Sequence, residues 1–397
     1  MSLSAQLAMP EATIARRRVA PDRLLFVDNV RWVMILLVLS MHAAVTYSPF
    51  GGWYYREHAQ TGRATLLFFA TYQSFLQGFF MALLFFVAGY FVPKSYDRKG
   101  AVAFLAGRLV RLGLPTILFV ALIGPVTEYF LAHSWHTKAP FAQALAVYFT
   151  RFRFLAGTGP LWFCVALLIF SIGYVVYRRL LPSPAKRRTS AALPGAGGVV
   201  LTVAALAVTT FLIRIALPVG TAVYNMQLCY FASYVIMFGL GVAAAGGNWL
   251  ERVSDRFAWT AAAICFALAG LSWLPLLAFG GALAGQSAAY NGGAHWQSAA
   301  MATWEALVCV GMSFAVLAGF RAHAAGQGPL ARFMSDNAFA VYVIHPPVLV
   351  ALAVALAGFA LPAAAKFVLL WALGALLSFG LAAPFVRRLP GMRYVLA

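Results

Sequence analysis

The stretch at residues 28–42, DNVRWVMILLVLSMH, opens the first long apolar run of the chain and carries polar residues at both ends. Arg31 and His42 have ten residues between them, so on a helix they are about three turns apart and share one face. At ~1.5 Å per residue they would lie roughly 16 Å apart along the axis, about half of a bilayer core. A histidine so deep in an apolar run is costly, and its position indicates a functional role.

The composition is that of an integral membrane protein. Of the 397 residues, 63% are hydrophobic and 10% are charged, whereas an average soluble domain has about 25% charged residues. The net charge is +19, but the basic residues fall in the short gaps between apolar runs. This pattern indicates membrane topology and argues against a nucleic-acid partner. The four cysteines lie inside apolar runs without metal-ligand spacing, so no metal site is expected.

Ten apolar stretches are long enough to cross a bilayer as helices. They are residues 29–48, 66–92, 109–131, 160–180, 198–217, 224–246, 257–279, 298–319, 336–357 and 364–386. The second stretch is expected to end at Pro93, because proline cannot donate a helical hydrogen bond. Residues 141–156 are shorter and end in basic residues, which is typical of an interfacial or re-entrant helix. The sequence therefore predicts an all-α integral membrane protein, a bundle of about ten transmembrane helices.

The basic residues also predict the orientation of this bundle. Every second gap is rich in Lys and Arg, beginning with the arginines that precede the first stretch. Under the positive-inside rule this places both termini in the cytoplasm. Residues 1–22 are interpreted as a cytoplasmic tail and residues 23–390 as one transmembrane domain. Residues 183–197, rich in Pro, Ala, Gly and basic residues, are expected to form a flexible cytoplasmic loop.

His42 and Glu305 are expected at a similar depth in the membrane. His42 lies about thirteen residues from the inner end of its stretch, and Glu305 about seven residues from the outer end of the eighth. A histidine–carboxylate pair would orient the imidazole and raise its basicity. The alternative is that the two residues do not pair, and that each packs in the bundle with its own hydrogen-bond partners.

Three further positions have both a functional and a structural interpretation. Arg108 and Arg111 share a helix face and would either grip a phosphate or contact anionic lipid headgroups and fix topology. His345 precedes two prolines that free helix carbonyls, so it is either a second catalytic residue or a donor to one of those carbonyls. Trp162 follows a Gly-Pro break and has the position of an interfacial aromatic residue.

Together these residues resemble the acyltransferase type 3 family of integral membrane O-acyltransferases. The family has an arginine, ten residues and a histidine in its first span, preceded by an acid, as with Asp28, Arg31 and His42. Later family motifs follow in the same order and cover roughly residues 22–390. They are matched by FFMALLFFVAGYFVP, by Arg108 and Arg111, by Leu161-Trp162-Phe163, and by Tyr342 and His345. No esterase-like soluble domain is seen, so the chain is similar to the stand-alone members, including those that modify glucans.

The resemblance implies roles for these positions. Arg31 and His42 would be the functional pair, Arg108 and Arg111 would contact acyl-CoA, and the remaining motif residues would bind substrate. These remaining residues are Asp28, Trp162, Tyr342 and His345. His42 would be the general base on the acceptor hydroxyl or would itself carry the acyl group. Glu305 is added as a catalytic residue on the depth argument alone, as a group that orients His42.

The predicted function is transfer of an acetyl or succinyl group from cytoplasmic acyl-CoA to a hydroxyl of a cell-envelope or periplasmic glycan. The enzyme would lie in the bacterial inner membrane, with membrane lipids and the glycan as its partners. A multi-span transporter or flippase of a glycan or lipid-linked substrate is the competing class, because intramembrane charges and Gly/Pro breaks fit it as well. Against it, the two halves of the chain lack paired broken helices. A third class, a membrane scaffold protein without catalytic activity, is disfavoured because His42 and Glu305 lie inside apolar stretches.

Overall fold

The computed structural model describes residues 23–57, 62–134, 140–155, 157–181, 192–384 and 388. Within them the regular secondary structure is helical apart from one short hairpin. In chain order the helices are α1 (Leu25–Thr46), α2 (Arg63–Arg108), α3 (Leu114–Leu118), α4 (Gly124–Ser134), α5 (Phe141–Thr150), α6 (Trp162–Leu180), α7 (Ala196–Ala216), α8 (Phe231–Gly247), α9 (Trp249–Arg252), α10 (Asp255–Phe279), α11 (Trp296–His323), α12 (Pro329–Ala357) and α13 (Ala363–Ala382). The predicted tail at 1–22 and most of the predicted loop at 183–197 lie outside the described residues.

The prediction of about ten membrane-spanning helices is confirmed. Among the described residues, nine helical segments are long and apolar enough to cross a bilayer, and one of them, Arg63–Leu131, is 69 residues long. This segment contains two of the predicted spans. It turns back at Gly100, whose φ of 74° and ψ of 168° interrupt the helical path. A positive φ has little steric cost for glycine, which has no Cβ.

Two predicted boundaries were wrong. The second helix does not end at Pro93 but continues past it, because an interior proline removes one hydrogen bond and need not end a helix packed on its neighbours. The sixth stretch does not begin as a helix at residue 224. Strands β1 (Ala222–Val223) and β2 (Met226–Gln227) form an antiparallel hairpin there, with its turn residues Tyr224 and Asn225 at positive φ.

The chain passes back and forth between two ends of the bundle, which we call the proximal end, where α1 begins, and the distal end. At the proximal end, Asn29 Nδ2 donates to the carbonyl oxygens of Ala324 and Gly326, both at 2.9 Å. At the distal end, Lys366 Nζ lies 2.7 Å from Glu57 Oε1. These contacts connect the first helix and the segment after it with the C-terminal part of the bundle.

Helix α2 is the central element and packs against α1, α6, α8 and α11. Its contact with α8 is a contact between backbones. A Cβ on Gly89 would lie 2.2 Å from the carbonyl oxygen of Phe238, and a Cβ on Gly241 would lie 2.1 Å from that of Phe86. Because lipid tails are as apolar as helix surfaces, helices in a bilayer associate largely through such close packing of small residues.

The substitution Gly241→Ala should destabilise the bundle, because the new methyl group would overlap the Phe86 carbonyl and push α2 and α8 apart. Overpacking of this kind costs about 1–3 kcal/mol, so we expect a lower midpoint of thermal unfolding in detergent. Gly239→Ala is the matched control on the same helix, since nothing lies within 4 Å of a Cβ there. Its midpoint should be unchanged or slightly raised. Equal midpoints for the two variants would contradict the close contact.

Candidate active site

His42 lies near the distal end of α1, and its imidazole is part of a cluster of three nearly parallel rings. The Trp53 ring stacks on it, with centroids 3.7 Å apart and planes 17° apart. The His345 ring of α12 lies 5.3 Å from His42 at 13° and 6.1 Å from Trp53 at 6°. We call Trp53, His42 and His345 the ring cluster. The sequence analysis singled out both histidines separately but missed Trp53.

The segment between α1 and α2 carries Trp53 and is tied down on two sides. Gln73 Nε2 of α2 donates to Ser48 Oγ at 2.6 Å, and Lys366 of α13 forms its ion pair with Glu57. Trp53 stands between Ser48 and Glu57 in the chain, so both ends of its segment are fixed. This arrangement holds the indole against His42 through contacts made by other residues.

Two tyrosines on either side of Trp53 in this segment stay protonated at neutral pH. Burial, followed by the nearby Glu57 carboxylate, raises the pKa of Tyr47 above its ordinary value. Burial, followed by the Glu128 carboxylate, does the same to the pKa of Tyr54, whose ring packs edge-on against Trp53. Both hydroxyls therefore remain hydrogen-bond donors, and Tyr54 lies directly beside the ring cluster.

His345 is fully buried, and its tautomer follows from its hydrogen bond. Its Nδ1 lies 2.7 Å from the carbonyl oxygen of Tyr342, and because a carbonyl only accepts, Nδ1 carries the proton. Pro346 has no N–H, so it cannot bond the carbonyl four residues earlier, which is that of Tyr342. His345 thus satisfies a carbonyl freed by proline, as its structural interpretation proposed. Its Nε2 is buried without a hydrogen-bond partner among the described residues.

The expected contact between His42 and Glu305 is not formed. Instead Glu305 Oε2 accepts a hydrogen bond from Arg214 Nη2 of α7 at 2.7 Å. Arg214 is 0% exposed, and its guanidinium lies 5.1 Å above the Tyr230 ring. A carboxylate in the membrane is stabilised most by an opposite charge, which histidine carries only when protonated. A lone arginine inside the fifth apolar stretch was the signal that the sequence analysis missed.

The imidazole of His42 is open to an incoming group. It is only partly buried, and neither of its nitrogens is hydrogen-bonded to any residue that the structure describes. The buried histidine beside it, His345, does use one of its nitrogens internally. Ring stacking rather than a carboxylate therefore sets the orientation of His42.

A separate basic cluster lies towards the proximal end. Asp28 accepts hydrogen bonds from Arg31 Nη1 at 2.9 Å and from Arg23 Nε at 2.6 Å. The Arg31 guanidinium also lies 4.9 Å from the centroid of the Phe91 ring. Asp28, predicted to bind substrate, therefore holds Arg31 in place.

Arg108 and Arg111 belong to the same basic cluster. The positive charges of Arg111 and Arg31 both act on the Arg108 guanidinium, which lies 5.2 Å from the centroid of the Phe104 ring. Within the described ranges, no carboxylate forms an ion pair with Arg108 or Arg111. Several guanidinium groups around a single carboxylate leave a positive region that favours an anionic ligand.

The two remaining motif residues make contacts inside the bundle. The Tyr342 hydroxyl donates to the carbonyl of Pro160 and so joins α12 to the start of α6, while its ring lies 6.0 Å from that of His345. Trp162 stacks on Tyr234 of α8 with centroids 5.7 Å apart. In the part of the chain described here, Trp162 has no ring contact with His42. Tyr342 thus adjoins the ring cluster, whereas Trp162 belongs to aromatic packing around α8.

Comparison with known proteins gives the family. A family model described as an acyltransferase domain matches residues 24–387, which is most of the chain. No curated protein and no solved structure gives a significant match. The match includes Asp28, Arg31, Arg108 and Arg111 of the basic cluster and all of the ring cluster. The chain therefore belongs to the acyltransferase 3 family of membrane O-acyltransferases.

Proposed function

We propose that the protein transfers an acetyl or succinyl group from acyl-CoA to a hydroxyl of a cell-envelope or periplasmic glycan, in the bacterial inner membrane. The observation that carries the proposal is that one helix, α1, contributes to two chemically distinct centres. Arg31 belongs to the basic cluster, and His42 lies roughly 16 Å further along the axis with open ring nitrogens. An anionic donor and a hydroxyl acceptor would each have a suitable centre.

The basic cluster suits the donor. Coenzyme A carries several phosphates, and guanidinium groups bind phosphate through charge-assisted, often bidentate hydrogen bonds. Arg108 and Arg111 would take the phosphates, and Arg31, held by Asp28, stands on the path along α1 towards His42. The surplus of Lys and Arg in alternate gaps supports a cytoplasmic proximal end, where acyl-CoA is found.

His42 suits a general base. It would accept the proton of the acceptor hydroxyl as that oxygen attacks the thioester carbonyl. A carbon–oxygen bond then forms, the carbon–sulfur bond breaks, and His42 returns the proton to the departing CoA thiolate. Trp53 and His345 would hold the imidazole in place during this exchange. The alternative route, in which His42 carries the acyl group, uses the same open nitrogens and would yield an acyl-histidine when acceptor is withheld.

Glu305 is better assigned to the fold than to the chemistry. Its carboxylate neutralises Arg214, which is wholly buried, and breaking such a pair leaves an uncompensated charge in the bundle. The catalytic role of Glu305 was predicted from its depth and required a contact with His42. That contact is not formed. Membership of an acyltransferase family also favours the enzyme over the transporter as the function class.

The acyl transfer itself is tested with purified protein, acyl-CoA and candidate glycans. We expect release of free CoA thiol and a mass shift on the glycan, with the rate lowered about 10²–10⁴-fold in His42→Ala because the general base is lost. His295→Ala is the matched control, an exposed histidine at the same distal end but outside the ring cluster, and it should keep the wild-type rate. Glycan movement across a membrane without acylation would support a transporter instead.

Binding of the donor is tested with labelled acyl-CoA. The double variant Arg108→Ala, Arg111→Ala should bind at least about tenfold more weakly, because each hydrogen bond to a charged group contributes roughly 1.5–3 kcal/mol. Arg252→Ala with Arg256→Ala is the matched control, since it removes two arginines from the proximal end outside the basic cluster. Equal affinity of wild type and the Arg108, Arg111 variant would refute this donor site.

The role of Glu305 is tested by removing one or both charges. Glu305→Gln should lower the free energy of unfolding by about 3–5 kcal/mol, because it leaves Arg214 buried and unpaired. The double variant Arg214→Gln, Glu305→Gln removes both charges and should recover much of this stability and retain acyl transfer. A stable double variant without acyl transfer would show instead that the Arg214–Glu305 pair takes part in the chemistry.

A further inference from the structure

A cavity of about 480 Å³ opens among α7, α8, α10 and α11, outside both the ring cluster and the basic cluster. Its wall is largely apolar, with Phe86, Leu201, Met237, Val310 and Leu317 among the lining residues. All four helices are segments long and apolar enough to span a bilayer. The volume is in the range of small-molecule sites, but the wall offers little to a glycan or to the phosphates of CoA.

The proximal mouth of this cavity carries polar groups. Arg321 lines it, with Nη1 donating to the Leu250 carbonyl at 3.0 Å and Nη2 paired with Asp255. The indole Nε1 of Trp249, another lining residue, is buried and has no hydrogen-bond partner among the described residues. A buried donor without an acceptor is costly, so an acceptor from a bound molecule would stabilise it.

The dimensions of the cavity match one leaflet of the membrane. Val310 and Arg321 both line the cavity. They are eleven positions apart on α11, which corresponds to roughly 16 Å along the helix axis. This is about half of the ~30 Å hydrocarbon core. An apolar cavity that runs from the mid-plane to a polar mouth has the depth and polarity of a single lipid tail with its headgroup.

We infer that this cavity binds one acyl chain of an anionic phospholipid, with an oxygen of the phosphate accepting the Trp249 N–H beside Arg321. Arg252 and Arg256 flank the lining residues Val253 and Ala258 in the chain and add positive charge near the mouth. Basic pockets between transmembrane helices bind anionic headgroups in this way. This inference is independent of the acyl donor and acceptor proposed above.

Native mass spectrometry of the full-length protein in mild detergent tests the site, with phosphatidylglycerol and phosphatidylcholine of identical chains as probes. Gly198→Leu should fill the cavity, because Gly198 lines it and nothing lies within 4 Å of a Cβ there. We expect it to lower phosphatidylglycerol occupancy about tenfold. Gly197→Leu is the matched control, with equally open space but no place in the cavity wall, and should bind as wild type. Without lipid the two variants should unfold at the same temperature.

The headgroup half of the inference is tested with Trp249→Phe, which keeps an aromatic ring but removes the N–H. We expect phosphatidylglycerol to bind about fivefold more weakly, the effect of losing one hydrogen bond, and phosphatidylcholine to bind more weakly than phosphatidylglycerol in the wild type. Undiminished occupancy in Gly198→Leu would overturn the site. Equal binding of the two lipids, or no effect of Trp249→Phe, would overturn the headgroup contact. Displacement of phosphatidylglycerol by palmitoyl-CoA would assign the cavity to the acyl donor instead.

Discussion

A polar group at the depth of lipid tails must find its partner inside the helix bundle, and this constraint arranges most of the ionisable residues of the protein. Arg214 is paired with Glu305, and Lys366 with Glu57. His345 donates to a carbonyl that proline has freed. Among the described residues, the imidazole of His42 departs from this pattern, since it is stacked on the Trp53 ring and none of them hydrogen-bonds its nitrogens. A polar group kept without an internal partner is available to a substrate.

The position of α1 explains how one helix would serve both centres of the proposed reaction. At its proximal end Arg31 joins a positive region with few counter-charges, which is suited to an anion. Near its distal end His42 has ring nitrogens without a hydrogen-bond partner among the described residues. The same rigid helix fixes the spacing of the two centres. Each centre is completed by other elements, the basic cluster by the residues at the end of α2 and the ring cluster by Trp53 and α12.

Much of this arrangement could be predicted from local sequence. Helix length and apolar content depend on neighbouring residues, as does the shared face of Arg31 and His42, so the approximate number of spans was predicted correctly. The partner of Glu305 was not, because residue counting gives depth along a helix but not the direction in which a side chain points around it. Arg214 and Glu305 meet only through the packing of α7 on α11. Trp53 was missed because it lies in a connecting segment, where no periodicity predicts that its ring reaches His42.

The ion pair between Glu57 and Lys366 has a consequence for the biogenesis of the enzyme. The segment that presses Trp53 onto His42 is secured by a residue of α13, the last described helix, and the third ring comes from α12. During synthesis His42 enters the membrane first, whereas the groups that orient it are translated near the end. A partly inserted chain therefore has His42 without the residues that hold its imidazole in place. Under the role proposed for His42, catalytic competence would begin only when the whole bundle has assembled.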